Sequence, residues 1–168
     1  VNLNRLSLYG SDPNSAVVAS NSGLDIIEHE SGHRFVAYTT FLDGDTASTA
    51  ILGRDDQHWG FFFNSLASLI EGNQWRDNAD GTFTTTQATT RWSFLDEYLF
   101  GLRDSSEVDT LWYVASPANF SPPGLYPRQS APETGVTATG TKRSFDISQI
   151  TAVNGLRSPG PATSPKTF

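Results

Sequence analysis

Residues 29–33 read His-Glu-Ser-Gly-His, and this pentapeptide constrains the fold more than any other stretch of the chain. The four-residue spacing of His29 and His33 fits an α-helix, on which side chains four apart lie on one face about a turn apart. Two imidazoles on one face can bind a single metal ion, and Glu30 follows the first of them as a candidate general base. The pattern therefore predicts a helix that carries a zinc site.

The sequence around the pentapeptide also favours a helix. Ser22 and Asp25 form a Ser-x-x-Asp start that is close to a capping box. Residues 24–38 contain no proline, and Gly32 is their only glycine. Glycine lowers helix propensity by about 1 kcal/mol relative to alanine. We expect a helix over residues 24–38, in which Gly32 either leaves room for a neighbouring segment at the metal site or allows close helix packing.

The composition fits one domain with an aromatic core. The chain has 168 residues, of which 11 are Phe, 5 are Tyr and 4 are Trp, and a net charge of −7 without a cluster of basic residues. We therefore expect neither a nucleic acid nor a membrane surface as a partner. Because the chain has no cysteine, a disulfide framework and thiolate ligands are excluded, and histidine and carboxylate side chains remain as zinc ligands.

Patterns elsewhere in the chain indicate a mixture of short strands, helices and loops. We expect strands within residues 1–21, a loop at residues 41–49, and a buried strand or pocket wall at residues 57–70. Further along, we expect a turn and a threonine-rich strand at residues 72–86, a helix over residues 92–102 with Ser93 as its cap, a loop at residues 116–132, a helical turn within residues 145–153, and a mobile Pro/Gly/Ser-rich tail at residues 155–168.

A catalytic zinc ion usually takes three protein ligands and a water molecule, so a third ligand is needed. Asp96 and Glu97 are the only acids on the second predicted helix, which is otherwise apolar, and burial of a carboxylate is costly unless it is paired or bound to a metal. The pattern slightly favours Asp96 as the more enclosed of the two. His58, the remaining histidine, is the alternative as a third ligand or as a donor to the oxyanion of the reaction intermediate.

Two further features carry weaker signals. Tyr98 is a lower-ranked oxyanion donor, as are Tyr38 and Arg91, because none of them has a distinctive spacing. Residues 77–81 read Asp-Asn-Ala-Asp-Gly and resemble a calcium-binding turn. They do not match the ligand pattern of an EF-hand, so an ordinary turn is the preferred interpretation and Ca²⁺ the weaker one.

Several segments together resemble a group of secreted bacterial proteins that are predicted zincin-type metallopeptidases. The resemblance covers most of residues 24–157. The His-Glu-x-x-His element is specific for the zincin superfamily, whereas the other segments identify the subgroup only loosely. The segments that carry it are residues 29–34, 58–59, 71–73, 80–84, 95–102 and 146–157.

The resemblance implies a zinc ion on His29 and His33 with Glu30 as the base. The segment that corresponds to residues 95–102 usually reads Asp, any residue, Tyr, Leu, Met, Gly in this group, which aligns its Asp with Asp96 and its Met with Phe100. The resemblance thus favours Asp96 over Glu97 as the third ligand. The short x-x-Gly-x-x-His continuation of one zincin branch is absent after His33.

We therefore expect an α+β, zincin-like metallopeptidase domain over residues 1–154, with a small mixed or antiparallel sheet, long loops and a C-terminal tail over residues 155–168. Its expected activity is hydrolysis of peptide bonds in peptide or protein substrates outside the cell. The chain begins at Val1 without a methionine, which is typical of a processed product or an excised fragment. The alternatives are a degenerate zincin that binds a protein or glycan, and a piece of a larger metallopeptidase.

Overall fold

The computed structural model describes residues 9–18 and 21–165, and their arrangement is α+β. Three α-helices and eight β-strands occur in these residues. The strands form three antiparallel sheets, of which the largest has four strands. The predicted α+β class is confirmed. The N-terminal part of the predicted strand region, residues 1–8, lies outside the described residues.

The first helix, α1 (Gly23–Val36), is the predicted one and begins at the predicted cap. The Ser22 hydroxyl accepts from the backbone N–H of Asp25, and the Asp25 carboxylate accepts from the backbone N–H of Ser22 at 2.8 Å. Tyr38 adopts a left-handed backbone conformation (φ 63°), and its N–H donates to the carbonyl of Asp56 at 2.8 Å. The helix therefore ends two residues before its predicted limit.

Two hairpins of strands lie next to α1 in the chain. A short one, β1 (Ala16–Val18) with β2 (Asn21–Ser22), precedes the helix, and the second, β3 (Phe41–Asp43) with β4 (Thr46–Ser48), follows it. The predicted loop at residues 41–49 is thus wrong. Only Gly44 and Asp45 form a turn, and Asp43 is the last residue of β3, paired with Thr46.

The main sheet has the strand order β5-β6-β8-β7 and is antiparallel throughout. The threonine-rich strand is confirmed as β6. The first part of the predicted loop at residues 116–132 is wrong, because β7 continues through Pro117 by means of a bulge between Ala115 and Ala118, where a missing backbone N–H is tolerated. The strands are β5 (Asn73–Asp77), β6 (Thr82–Ala88), β7 (Leu111–Ser121) and β8 (Thr137–Phe145).

Two aromatic-rich cores stabilise this arrangement. One packs α1, α2 (Phe94–Leu99) and α3 (Ile147–Asn154) around Trp59 and Phe63, and the other covers the main sheet around Phe61 and Trp75. Ser93 caps α2 as predicted. Among the described residues, no helix is long and apolar enough to cross a membrane.

Part of the C-terminal segment is held against the body of the protein. The backbone N–H of Arg157 donates to the hydroxyl of Tyr98 at 3.1 Å, and the Arg157 Nε donates to the carbonyl of Leu99 at 2.7 Å. Ser164 is buried and contacts the position of Gly101. The described residues of the predicted tail therefore pack on α2.

Candidate metal centre

The side chains of the three histidines of the chain meet at one point. The Nε2 atom of His29 lies 3.1 Å from the Nε2 of His33 and 3.3 Å from the Nε2 of His58. All three candidate ligand atoms lie within 4.8 Å of one another, and no other such group occurs among residues 9–18 and 21–165. His29 and His33 come from α1, one turn apart as predicted, whereas His58 comes from the segment between β4 and β5, directly before the buried Trp59.

Each imidazole is oriented through its second ring nitrogen. The Nδ1 atoms donate to backbone carbonyls: His29 to Leu69 at 2.9 Å, His33 to Gln57 at 3.0 Å, and His58 to Arg54 at 2.9 Å. A carbonyl oxygen only accepts, so in each neutral ring the proton lies on Nδ1 and the lone pair lies on Nε2. Three lone pairs thus converge on a common point, and at these distances they repel each other unless a cation lies between them.

Backbone hydrogen bonds place His58 over α1. The N–H of Trp59 donates to the carbonyl of Ile70 at 3.0 Å, and the N–H of Gly53 donates to the carbonyl of His58 at 2.8 Å. Trp59 itself is almost fully buried in the core. The two hydrogen bonds therefore fix the peptide unit between His58 and Trp59.

Gly32 is the residue that brings α1 close to the neighbouring segment. A Cβ atom at this position would lie 2.2 Å from the Cδ1 of Ile70 and 2.9 Å from a ring atom of Trp92, and contacts under 3 Å are not tolerated without displacement of the neighbours. Ile70 and Trp92 both lie outside the helices, so Gly32 leaves room for a neighbouring segment and does not serve helix–helix packing. The close approach of this segment also keeps the carbonyl of Leu69 within reach of His29.

Burial favours the neutral, metal-binding form of two of the rings. It lowers the pKa of His33, with repulsion from His29 as the second cause, and it is also the main cause that lowers the pKa of His58. The hydrogen bonds from Nδ1 to the backbone act in the opposite direction but are weaker causes. Neutral imidazole is the form that binds metals.

An ion pair borders the histidines. The guanidinium of Arg54 forms a salt bridge with Glu71, and its Nη2 also lies 3.1 Å from the Nε2 of His58. The Oε1 of Glu71 is 3.7 Å from the same histidine nitrogen. The hydrogen bond to Glu71 raises the pKa of Arg54 further above its ordinary value. The sequence analysis gave neither residue a role, because Arg54 belongs to no motif and Glu71 lies in a segment of the resemblance, residues 71–73, that implies no function.

Glu30 lies beside the histidines and borders a large apolar cavity. Its charge favours the protonated form of His33 and the charged form of Arg54, although burial is the stronger influence on His33. The cavity has a volume of about 910 Å³, and its walls include apolar side chains of α1 and of the region around α2. These apolar residues are Ile27, Phe35, Trp92, Phe100 and Leu102.

The structure does not bring Asp96, the preferred third ligand, to the histidines. Its carboxylate is fully buried and accepts from the indole N–H of Trp59 at 2.9 Å and from the backbone N–H of Ser93 at 2.7 Å. Burial raises the pKa of Asp96, whereas the donors around the carboxylate lower it. The carboxylate is compensated by these donors and by its place in the cap of α2. His58, the alternative candidate, is the residue that lies beside His29 and His33.

The remaining candidates are also engaged elsewhere. Glu97 pairs with Arg103 at 2.6 Å, and the hydroxyl of Tyr98 accepts from Arg157. Phe100, aligned with a methionine in the resemblance, packs against Phe35 and Trp92 with ring centroids 5.2 and 4.7 Å away.

The calcium-like turn connects β5 and β6. Oδ1 of Asp77 accepts from the N–H of Ala79, and Oδ1 of Asp80 accepts from the N–H of Thr82, each at 2.9 Å. These hydrogen bonds are those of an ordinary Asx turn. Ca²⁺ binding therefore stays the weaker interpretation of residues 77–81.

Comparison of the chain with protein-family models, with curated proteins and with solved structures finds no match. The geometry of the site is accordingly the basis for its interpretation.

Proposed function

We propose that the protein binds Zn²⁺ through His29, His33 and His58 and hydrolyses peptide bonds. The observation that carries this proposal is the convergence of three Nε2 lone pairs, each fixed by a hydrogen bond from Nδ1 to a backbone carbonyl. Such outer hydrogen bonds are the usual supports of metal-binding histidines. Three protein ligands leave one position for water or substrate, as in catalytic rather than structural zinc sites.

The distances between the nitrogens support a tetrahedral metal. With Zn–N bonds of about 2.0–2.1 Å and tetrahedral angles, two ligand nitrogens lie about 3.3 Å apart. The separations of His29 from His33 and from His58 are 3.1 and 3.3 Å. A set of neutral imidazoles without thiolates also suits other divalent transition metals, so zinc is the first choice on the combination of geometry and motif.

The residues around the metal have distinct roles in the proposed reaction. Bound Zn²⁺ lowers the pKa of a water molecule toward neutrality and polarises a substrate carbonyl. Glu30, which follows the first ligand, removes a proton from the attacking water and returns it to the leaving amine. His58 is a ligand in this proposal and not the oxyanion donor that was its other predicted role.

The cavity beside Glu30 supports a substrate with a large apolar side chain. Its volume of about 910 Å³ lies in the range of sites for small ligands and side chains. Since Glu30 contributes to both the cavity and the surroundings of the histidines, an apolar group in the cavity lies next to the proposed base. A zincin-like fold, action outside the cell and a peptide or protein substrate belong to this proposal, supported by the motif on α1.

The experiment that tests this function is digestion of a peptide library by the zinc-loaded protein, with new termini identified by mass spectrometry. Glu30→Gln is the control, because it leaves the three histidines in place. We expect cleavage by the wild type and a loss of about 100-fold or more in Glu30→Gln at unchanged zinc content. Zinc binding without cleavage by the wild type would instead favour the protein- or glycan-binding module.

A further inference from the structure

Metal binding by the three histidines gives no reason for the Arg54–Glu71 ion pair beside them. Its position indicates a role in substrate binding, which rests on the proposed function. A cation placed against a metal ligand is electrostatically unfavourable for a site that has to hold Zn²⁺. Arg54 nevertheless contacts both ring nitrogens of His58. Its carbonyl accepts from Nδ1 at 2.9 Å, and its Nη2 lies 3.1 Å from Nε2.

The contact at Nε2 competes with the metal for one lone pair. Because the Nδ1 of His58 carries the proton, Nε2 accepts a hydrogen bond from Nη2 of Arg54. A single lone pair cannot bind a metal ion and accept this hydrogen bond at once. Metal binding therefore frees the Nη2–H of Arg54 immediately beside the ligand set.

Glu71 keeps the freed guanidinium in place. The Nε of Arg54 donates to Oε2 of Glu71 at 3.2 Å, and Nη2 contacts Oε1. No acceptor within residues 9–18 and 21–165 takes a hydrogen bond from Nη1. Half of the Arg54 side chain (52 %) is exposed, against 20 % for Glu71. The guanidinium thus presents free donors on an open side while its other edge is anchored.

We propose that Arg54 is the anion-binding residue of the metal centre. Its Nη atoms donate to an oxygen anion of the substrate that also occupies the open position of the metal. The chemistry is that of a singly charged carboxylate or a carbonyl-derived oxyanion, because an arginine fork gives charge-assisted hydrogen bonds to such oxygens. Glu71 anchors the guanidinium in this role.

Acetate is a suitable probe, and Co²⁺ in place of Zn²⁺ makes its binding visible in the absorption spectrum. We expect acetate to bind to the Co²⁺-loaded wild type and to bind about tenfold or more weakly to Arg54→Gln, which corresponds to loss of a hydrogen bond to a charged group. Arg54→Lys keeps the charge without the fork and should lie between the two. The Co²⁺ affinity of Arg54→Gln should rise, because a competing donor and a positive charge are removed.

The matched control is Arg103→Gln, since Arg103 is also paired with carboxylates, those of Glu97 and Glu107. It should leave both affinities at the wild-type value. Equal acetate affinity in the wild type, Arg54→Gln and Arg54→Lys would overturn the proposal while metal binding stands. A wild type that takes up no Co²⁺ or Zn²⁺ would overturn the metal site itself, and this is seen before acetate is added.

Discussion

The histidine cluster and the surroundings of Asp96 are two polar regions joined by the dipeptide His58-Trp59, and their hydrogen bonding is opposite in character. Each histidine uses one ring nitrogen for a carbonyl and directs the other toward two further lone pairs. Asp96 has both oxygens occupied by N–H donors. The difference teaches that burial alone does not identify a metal ligand. Of the three nitrogens that face one another, only that of His58 has a protein donor among the described residues, Arg54, whereas both oxygens of Asp96 have one.

The largest expected effect on stability comes from removal of the Asp96 carboxylate. Asp96→Ala leaves the buried N–H groups of Trp59 and Ser93 without acceptors and opens a gap, so the free energy of unfolding should fall by about 3 kcal/mol or more. The free energy of unfolding should fall by less in Asp96→Asn, which keeps an acceptor oxygen. Chemical denaturation measures both. Zinc content should stay at the wild-type level in every folded sample, and its loss would place Asp96 back among the ligands.

Trp59→Phe removes the donor of the hydrogen bond in which Oδ1 of Asp96 is the acceptor, at a residue that is 1 % exposed. We expect a loss of about 2 kcal/mol in the free energy of unfolding. In the double variant with Asp96→Ala the two losses of unfolding free energy should be less than additive, because both substitutions remove the same Trp59–Asp96 hydrogen bond. Full additivity in the double-mutant cycle would contradict a direct Trp59–Asp96 interaction.

Substitutions in the two helix caps should have smaller effects on stability and allow the same two regions to be compared. Ser22 and Ser93 are both buried and cap α1 and α2 in the same Ser-x-x-Asp pattern. Ser22→Ala and Ser93→Ala should each lower the free energy of unfolding by about 1 kcal/mol. Only Ser22→Ala should also weaken zinc binding, because α1 carries two of the proposed ligands, His29 and His33. Equal zinc affinities in the two variants, measured by competition with a chelator, would argue against this difference.

The smallest expected effect is a pH dependence of the metal-free protein. The pKa values of His33 and His58 are lowered by burial from an ordinary value of 6.5. Between the folded and unfolded pKa values the unfolded chain binds more protons, so this contribution to stability is present above pH 6.5 and is lost as the pH falls below it. His58→Gln should make the stability of the metal-free protein depend less steeply on pH below 6.5. Asp96→Asn should not, because the pKa of Asp96 is raised and its contribution has the opposite sign.

The sequence predicted the elements of the site that depend on local chemistry. The starts of α1 and α2 are predicted by serines three residues before Asp25 and Asp96. Once α1 is predicted, the four-residue spacing of His29 and His33 places both side chains on one of its faces. Such features need only neighbouring residues, so they can be identified from one sequence.

The proposed third ligand could not be chosen in the same way, because its position depends on contacts between distant segments. His58 reaches α1 through the hydrogen bond of Trp59 to Ile70, and Asp96 is compensated by an indole 37 residues away in the chain. The sequence alone does not show that the indole of Trp59 reaches Asp96, so it makes this carboxylate on an apolar helix a candidate ligand. Arg54 is only four residues from His58 in the chain, but its pairing with Glu71, 17 residues away, has the same long-range origin.

The most direct test of the metal centre is the zinc content of the purified protein after zinc loading and dialysis, measured by elemental mass spectrometry. The wild type and Asp96→Asn should retain about one zinc ion per chain, as expected for a three-ligand site. His29→Ala, His33→Ala and His58→Ala should each lose it while their circular dichroism spectra remain those of a folded protein. Zinc that persists in His58→Ala and disappears in Asp96→Asn would contradict the three-histidine centre.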